Sequence, residues 1–210
     1  MQKNVSVLIF DFGNVIIDID MSKTFSKLST LLDFDLNSLL TDKENLFIRY
    51  EMGLISTEAF LNDLIRRSNK PTQANEIVSI WNAILLGIPK ERIDLLLELR
   101  KQYSIYILSN TNDLHIQWVH RYLKREFKLE NFERSILHNA FYSHHLKTRK
   151  PRNEIYEKVH SKIDKPKDEV LFLDDLEENV KAAQTFGWNA FHHPAQGDLK
   201  ESLSKNGVHL

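Results

Sequence analysis

The sequence predicts an α/β fold: a doubly wound parallel sheet with an inserted small helical cap domain. Short apolar segments alternate with helical patterns along most of the chain, which is typical of parallel strands joined by crossover helices. One long segment near the N-terminus breaks the alternation, because it contains only helical patterns. Polar residues follow the apolar segments where each strand should end, and a parallel sheet brings such residues to one edge.

The strands are predicted from short apolar segments. Val7–Phe10 contains four apolar residues in a row, which indicates a strand buried on both faces. Four later segments have the same character and are bounded by polar residues. These segments are Ser104–Asn110, Asn139–Ser143, Glu169–Asp175 and Trp188–His193.

Helical patterns separate these strands. The segment PKERIDLLLELRKQ, residues 89–102, begins with proline and repeats apolar residues at helical spacing. A second helix is predicted to start at Pro151, because proline is favoured at the first helical position. A third helix is predicted to end at Gly187, since glycine commonly terminates helices.

The segment from Asp20 to about Gly87 contains no convincing strand. We predict that it consists of helices, and Ser56 is expected to cap the third of them. The four helical stretches are MSKTFSKLSTLL, NLFIRYEMG, STEAFLNDLIRRS and TQANEIVSIWNAILL. Such an insertion is expected to form a cap over the edge of the sheet.

These patterns predict a discontinuous α/β core, residues 1–18 and 89–210, and a helical cap, residues 19–88. The cap is rich in aromatic residues, which are expected to form a small hydrophobic core of its own. These aromatic residues are Phe47, Tyr50, Phe60 and Trp81.

Composition limits the class of protein. The 210 residues suffice for one large domain or a domain with an insertion. A net charge of -1 gives no support for a nucleic-acid or membrane partner. The absence of cysteine excludes disulfides, thiolate zinc sites and cysteine nucleophiles. The N-terminal apolar run is too short for a signal peptide and no segment approaches a membrane span, so a cytoplasmic location is expected.

The residues that carry chemistry follow the predicted strands. They are Asp11, Ser109, Asn110, Lys150, Asp174 and Asp175. Three carboxylates at one edge repel one another unless a cation lies among them, and oxygen ligands without histidine or cysteine suit Mg²⁺. A cation, an ammonium and a hydroxyl form a receptor for phosphate. A carboxylate that attacks phosphorus would give an aspartyl-phosphate, a known route of covalent catalysis.

Taken in order, these residues resemble the four motifs of the haloacid dehalogenase superfamily. The motifs are Asp11-x-Gly13-Asn14-Val15, Ser109-Asn110, Lys150-Pro151 and Asp174-Asp175-(x)3-Asn179. The resemblance covers the whole α/β core, and the cap matches the superfamily's helical cap type mainly by position. It implies a magnesium-dependent phosphatase that forms an aspartyl-phosphate intermediate.

The resemblance also implies roles for the acidic residues and their neighbours. Asp11 would be the nucleophile, and its carboxylate and the backbone carbonyl of Gly13 would bind Mg²⁺. Asp174 and Asp175 would complete the metal site, and Asn179 would orient them. Each of these roles is carried over from the motif position alone.

A second set of roles concerns the phosphate ester, a small-molecule substrate. Ser109 would hydrogen-bond the transferring phosphoryl group, and Lys150 would neutralise the charge of nucleophile and phosphate. Glu51 and its neighbour Tyr50 are expected to affect selectivity because they lie in the cap, although Glu51 could also be a solvated helix acid. The candidate substrate-binding set is Gly13, Asn14, Ser109, Asn110, Lys150 and Glu51.

Gly13 departs from the usual pattern of the superfamily. Most of its phosphatases carry an acid–base aspartate there, two residues after the nucleophile. DFGNVIIDID is similar to a subgroup of bacterial sugar-phosphate phosphatases with the same glycine–asparagine pair, including enzymes acting on α-D-glucose 1-phosphate. Sugar phosphates, with 1-phosphates favoured, are therefore the expected substrates. A metal-ordered water, Asp18, His115 or Glu51 could supply the missing acid.

Other interpretations remain open. A dehalogenase-type hydrolase would use Asp11 on carbon and would need no metal, and a catalytically silent regulatory protein could retain the fold alone. The pairs His144–His145 and His192–His193 suggest zinc, but adjacent residues in a strand point to opposite faces and chelate poorly. The exact substrate, the oligomeric state and the pathway are not indicated by the sequence.

Overall fold

The computed structural model describes residues 4–36 and 45–208. The strands are β1 (Val7–Phe10), β2 (Asp18–Ile19), β3 (Leu85–Gly87), β4 (Ser104–Ser109), β5 (Asn139–Tyr142), β6 (Val170–Asp174) and β7 (Asn189–His192). Five of them form one parallel sheet in the order β5-β4-β1-β6-β7. The predicted doubly wound parallel sheet is confirmed.

Helices connect and cover the strands. They are α1 (Met21–Leu32), α2 (Leu46–Glu51), α3 (Thr57–Arg67), α4 (Ala74–Asn82), α5 (Lys90–Leu99), α6 (Asp113–Phe127), α7 (Phe132–Ser135), α8 (Ser143–Leu146), α9 (Asn153–His160), α10 (Glu177–Phe186) and α11 (Leu199–Lys205), with a 3-10 turn at Lys167–Glu169. No helix within the described ranges is both long and apolar enough to cross a membrane.

The central strand β1 is buried on both faces. Leu8 and Phe10 pack into one hydrophobic cluster, and Val7 and Ile9 pack into the cluster on the other side. The chain runs outward from β1 through β4 to β5 and then returns to β6 on the opposite side of β1. Strand order therefore reverses between β1 and β6, which is where ligands bind in doubly wound sheets.

The helices α1 to α4 have a hydrophobic cluster of their own. The rings of Tyr50 and Phe60 stack with centroids 4.2 Å apart, and those of Phe47 and Trp81 stack at 5.6 Å. The predicted aromatic core of the inserted segment is confirmed. Ser56 caps α3 as expected, because its hydroxyl accepts a hydrogen bond from Ala59 N at 3.1 Å.

Two predictions about secondary structure are wrong. The inserted segment contains a strand, β3, which pairs antiparallel with β2. The pair thus joins the two places where the chain passes between the core and the inserted segment. Its three residues are too few to show a strand period. Helix α9 begins at Asn153 rather than Pro151, because Arg152 is extended and the backbone N–H of Lys150 donates to the side chain of Asn110. The predicted stop at Gly187 is correct.

Candidate active site

Asp11 lies at the reversal point of the sheet. Its backbone N–H donates to Leu173 O at 2.8 Å, which continues the pairing of β1 with β6 and brings Asp11 beside Asp174. Burial raises the pKa of the Asp11 carboxyl to about 7; Lys150 opposes this rise and Asp174 adds to it. A nearby cation would favour the ionised form.

Lys150 is the cationic centre of the site. Its side chain is 1% exposed, and Nζ lies 2.8 Å from Asp11 Oδ1 and 2.6 Å from Asp174 Oδ2. Nζ also donates to Leu108 O at 2.9 Å. Burial alone would lower the pKa of Lys150, but the two carboxylates outweigh that effect and raise the pKa above its usual value. Lys150 is therefore an ammonium bound to both carboxylates.

Asp174 and Asp175 are held by neighbouring groups. Asp174 accepts hydrogen bonds from Asn179 Nδ2 at 2.9 and 3.1 Å and from Leu176 N at 2.9 Å. Asp175 Oδ2 accepts from Asn14 Nδ2 at 2.8 Å. Asn14 was expected to bind substrate, but its side-chain amide instead holds Asp175.

The three carboxylates fit a divalent cation. Asp11, Asp174 and Asp175 each offer an oxygen, and these atoms lie within 4.8 Å of one another. One ammonium does not balance three carboxylates, so an additional cation would relieve the repulsion. An all-oxygen donor set suits Mg²⁺.

Gly13 and Asn14 make the turn that follows Asp11. Asn14 N donates to Ile17 O at 2.7 Å, and Gly13 forms a bridge with Ile17. Asn14 has φ 57, a left-handed conformation that asparagine tolerates better than most residues. This turn keeps the backbone of Gly13 next to Asp11.

The end of β4 supplies Ser109 and Asn110. Ser109 is 4% exposed at the carboxyl end of the strand. The side chain of Asn110 accepts from Lys150 N at 2.9 Å and donates to Lys150 O at 3.0 Å. Asn110 was expected to contact substrate, but its side-chain groups are both bound to the Lys150 backbone.

Glu51 joins the inserted segment to the core beside Lys150. Its carboxylate accepts from Arg149 Nε at 2.6 Å, and its backbone carbonyl accepts from Ser143 Oγ at 2.6 Å. Burial raises the pKa of Glu51, although Arg149 opposes the rise. Glu51 is therefore not a solvated helix acid. Neither Arg149 nor Ser143 was selected from the sequence, where the only signal was that Arg149 precedes Lys150.

Tyr50 and two candidates for the missing acid are bound elsewhere. The hydroxyl of Tyr50 lies 3.0 Å from Thr57 Oγ1 and accepts from Leu114 N at 3.3 Å, and the residue is 2% exposed, so it links the inserted segment to α6 rather than facing a substrate. Asp18 is paired with Arg92 Nη1 at 2.7 Å. Burial lowers the pKa of His115 to about 4, so its ring is neutral.

The neutral ring of His115 has both nitrogens engaged. Nε2 lies 3.2 Å from Trp81 O, a carbonyl that can only accept, so Nε2 carries the proton. Nδ1 then accepts from Asn112 Nδ2 at 3.1 Å. Both ring nitrogens of His115 therefore serve the contact between α4 and α6, and the ring has no proton to donate to a substrate.

The paired histidines lie outside the one group of three potential metal ligands found among the described residues. His144 and His145 lie in α8 rather than in a strand, with ring centroids 4.2 Å apart, so the expected strand geometry was wrong for this pair. His144 Nδ1 instead lies 3.1 Å from Thr111 O. Within residues 4–36 and 45–208, no histidine belongs to a group of three potential metal ligands.

Comparison with known proteins supports a hydrolase. The chain is 29% identical over 208 residues to D-ribitol-5-phosphate phosphatase of Bacteroides thetaiotaomicron, covering 97% of this chain and 98% of that protein. No protein-family model matches the chain.

Solved structures give the same result. A haloacid dehalogenase family enzyme of Bacteroides thetaiotaomicron, in complex with magnesium and inorganic phosphate, superposes with a TM-score of 0.86 at 28% identity, covering 94% of this chain and 98% of that one. A predicted hydrolase of the same family from Porphyromonas gingivalis has a TM-score of 0.85 at 22% identity, covering 96% and 97%, which shows the fold alone.

Proposed function

We propose that this chain, which is similar over nearly its whole length to haloacid dehalogenase family enzymes, acts as a magnesium-dependent phosphatase on small phosphate monoesters. The observation that carries the proposal is the buried cluster in which Lys150 Nζ contacts both Asp11 and Asp174. In this cluster the Lys150 ammonium lies beside the proposed nucleophile, Asp11, and next to carboxylate oxygens that we propose as metal ligands. Such a cluster is well suited to phosphoryl transfer.

The proposed metal ligands are the side chains of Asp11, Asp174 and Asp175, with the backbone carbonyl of Gly13. When bound, magnesium would offset the negative charge of the phosphoryl group and of the carboxylates. Asn179 and Asn14 hold the two adjacent acids of the fourth motif, because Asn179 Nδ2 donates to Asp174 and Asn14 Nδ2 donates to Asp175. The asparagines are therefore positioning residues.

The proposed reaction has two steps. In the first, a carboxylate oxygen of Asp11 attacks phosphorus, the ester P–O bond breaks, and its electron pair leaves with the alcohol oxygen, which takes a proton from the surrounding water. In the second, water attacks the phosphorus of the aspartyl-phosphate. The P–O bond to Asp11 breaks, its electron pair returns to the carboxylate, and orthophosphate leaves with the protons of the attacking water.

The remaining residues would bind and orient the phosphoryl group. The hydroxyl of Ser109 and backbone N–H groups near Gly13 would donate to its oxygens, and the Lys150 ammonium would offset the charge that nucleophile and phosphate share. Positioning and electrostatics of this kind supply most of the catalysis in phosphoryl transfer.

The proposed substrates are sugar phosphates, with sugar 1-phosphates favoured. The motif around Gly13 supports 1-phosphates, whereas the Bacteroides relative is named for a polyol 5-phosphate. The anomeric hydroxyl released from a 1-phosphate is a better leaving group than a primary alcohol. The cap would exclude bulky substrates such as phosphoproteins. A cytoplasmic location stays a prediction.

The test is a panel of phosphate monoesters assayed with Mg²⁺ and with EDTA, including α-D-glucose 1-phosphate, glucose 6-phosphate and D-ribitol 5-phosphate. We expect hydrolysis with Mg²⁺ only. Asp11→Asn should lose more than ~10³-fold in kcat, because an amide is a poor nucleophile. Asp94→Asn, a change to an exposed acid on α5, is the matched control. Full activity in EDTA, or an active Asp11→Asn variant, would refute the proposal.

A further inference from the structure

The hydroxyl of Ser143 joins the inserted segment to the part of the core that follows Ser109. Ser143 is fully buried directly after β5, where α8 begins. Its Oγ accepts from Thr111 N at 2.9 Å and lies 2.6 Å from Glu51 O. We propose that Ser143 is a positioning residue: by binding Thr111 and the inserted segment at once, it holds the backbone that places the Ser109 hydroxyl at the phosphoryl group. This inference rests on the proposed phosphatase function.

The position of the Ser109 hydroxyl depends on the backbone that carries it. Among the described residues, no hydrogen bond ties this hydroxyl to a neighbour, which leaves it able to donate to a phosphoryl oxygen. On its N-terminal side, β4 lies within the parallel sheet, where Ser109 pairs with Tyr142 of β5. On its C-terminal side the chain leaves the sheet, so contacts of the next few residues must hold the backbone of Ser109.

Both backbone polar groups of Thr111 are bound by two adjacent residues of α8. Thr111 N–H donates to Ser143 Oγ at 2.9 Å, and Thr111 O lies 3.1 Å from His144 Nδ1. A carbonyl oxygen can only accept, so His144 Nδ1 carries the proton of this hydrogen bond. Thr111 is only 7% exposed, and its backbone is therefore fixed two residues beyond Ser109 by bonds that water does not replace easily.

The single proton of the Ser143 hydroxyl is donated to the inserted segment. Oγ lies 2.6 Å from Glu51 O and 2.9 Å from Thr111 O, and a hydroxyl has one proton for these two carbonyls. His144 already donates to Thr111 O, and Glu51 O is the nearer acceptor. Two hydrogen bonds thus run in sequence from Thr111 N–H through Ser143 to the C-terminal end of α2. Because hydrogen bonds in such a chain polarise one another, the bond to Glu51 O strengthens the bond that holds Thr111.

A second contact at the same end of α2 provides a control. Lys147 Nζ donates to Gly53 O at 2.6 Å, so Lys147 also joins the core to a backbone carbonyl of the inserted segment. Among the described residues, the hydrogen bond of its side chain reaches only the inserted segment and not Thr111. Lys147→Met would therefore remove one link between core and inserted segment without releasing the backbone that follows β4.

The experiment is a double-mutant cycle of Ser143→Ala and Ser109→Ala, with kcat and KM measured on an aryl phosphate in the presence of Mg²⁺. Ser143→Ala alone should lower kcat ~10- to 100-fold and change KM less, because a misplaced group costs most in the transition state. In the Ser109→Ala background it should cost less than ~3-fold, since the hydroxyl that it positions is absent. Lys147→Met should cost the same factor in both backgrounds.

Three results would overturn the inference. They are equal costs of Ser143→Ala in the two backgrounds, a fully active Ser143→Ala variant, and a cost of Lys147→Met that also disappears with Ser109→Ala. Ser143→Cys keeps a weak donor and acceptor, so its kcat should lie between those of the wild type and Ser143→Ala. It replaces Ser143→Ala in the cycle if the alanine variant folds poorly. Inactivity of the wild type on every phosphate would instead refute the proposed function.

Discussion

The side-chain amide of Asn110 binds both polar groups of the Lys150 backbone, accepting from its N–H at 2.9 Å and donating to its carbonyl at 3.0 Å. The two residues are 40 positions apart in the chain. This contact fastens the loop that carries the buried ammonium to the end of β4. The Nζ atom can then lie between Asp11 and Asp174.

Asn110→Asp should reduce kcat while changing KM less. The aspartate still accepts from Lys150 N–H, but its second oxygen faces the Lys150 carbonyl, which has no hydrogen to donate. We expect a ~10- to 100-fold loss, which corresponds to the cost of one broken buried hydrogen bond. Asn75→Asp, on an exposed turn of α4, is the control. A loss expressed in KM or in thermal stability alone would mean that Asn110 only supports folding.

Replacing Asp174 and Asp175 together by asparagine should abolish both magnesium binding and activity. The substitution removes two of the three carboxylates that lie within 4.8 Å of one another. Calorimetric titration with Mg²⁺ measures magnesium binding independently of turnover. The pair Glu91→Gln/Asp94→Asn removes the same charge from the exposed face of α5 and should change neither property. Undiminished magnesium binding by the double asparagine variant would contradict the proposed metal site.

Glu51→Gln should change discrimination among sugar phosphates more than hydrolysis of a small aryl phosphate. Its carboxylate meets Arg149 at 2.6 Å where the inserted segment reaches the core next to Lys150. We expect the ratio of kcat/KM values for two sugar phosphates to shift by ~10-fold. Tyr50→Phe should lower stability by about 1 kcal/mol and leave the ratio unchanged, because its buried hydroxyl is bound to Thr57 Oγ1 and to the backbone N–H of Leu114. Equal losses on all substrates would argue for a structural role of Glu51.

The stability of the wild type should fall as the pH drops from 6.5 to 4, in part through His115. Burial lowers the pKa of His115 from 6.5 to about 4, so in this range the unfolded chain binds more protons than the folded chain. The contribution is present above pH 6.5 and is lost as the pH falls to about 4. It amounts to at most about 3 kcal/mol.

Urea unfolding of His115→Gln between pH 4.5 and 7.5 measures this contribution, and we expect a flatter stability profile than that of the wild type. His120→Gln is the matched control, since the hydrogen bond that His120 donates to the Glu133 carboxylate raises the pKa of His120. His120 stabilises the folded chain at low pH, so replacing it should make the free energy of unfolding rise more steeply with pH. Identical profiles for wild type and His115→Gln would show that His115 does not titrate as the structure implies.

The sequence by itself determined the sheet and the ends of its strands. Val7–Phe10 is an unbroken apolar run followed by Asp11, and Val170–Asp174 is another that ends in a carboxylate. Both signals are local, because burial on two faces demands consecutive apolar residues. Parallel pairing then brings the strand ends to one edge, so the proximity of the acids could be predicted without knowing any contact.

The tertiary structure decided which of the polar residues near that edge are already bound. The side chain of Asn110 is bound to the Lys150 backbone, and that of Asn14 is bound to Asp175. Each contact joins two segments that are far apart in the chain. Their distance in space depends on how strands, turns and inserted helices pack, and the spacing of apolar residues in the sequence does not indicate it. Residue type predicts what a side chain can donate, accept or exclude. Only the packed chain determines which partner lies within reach of it.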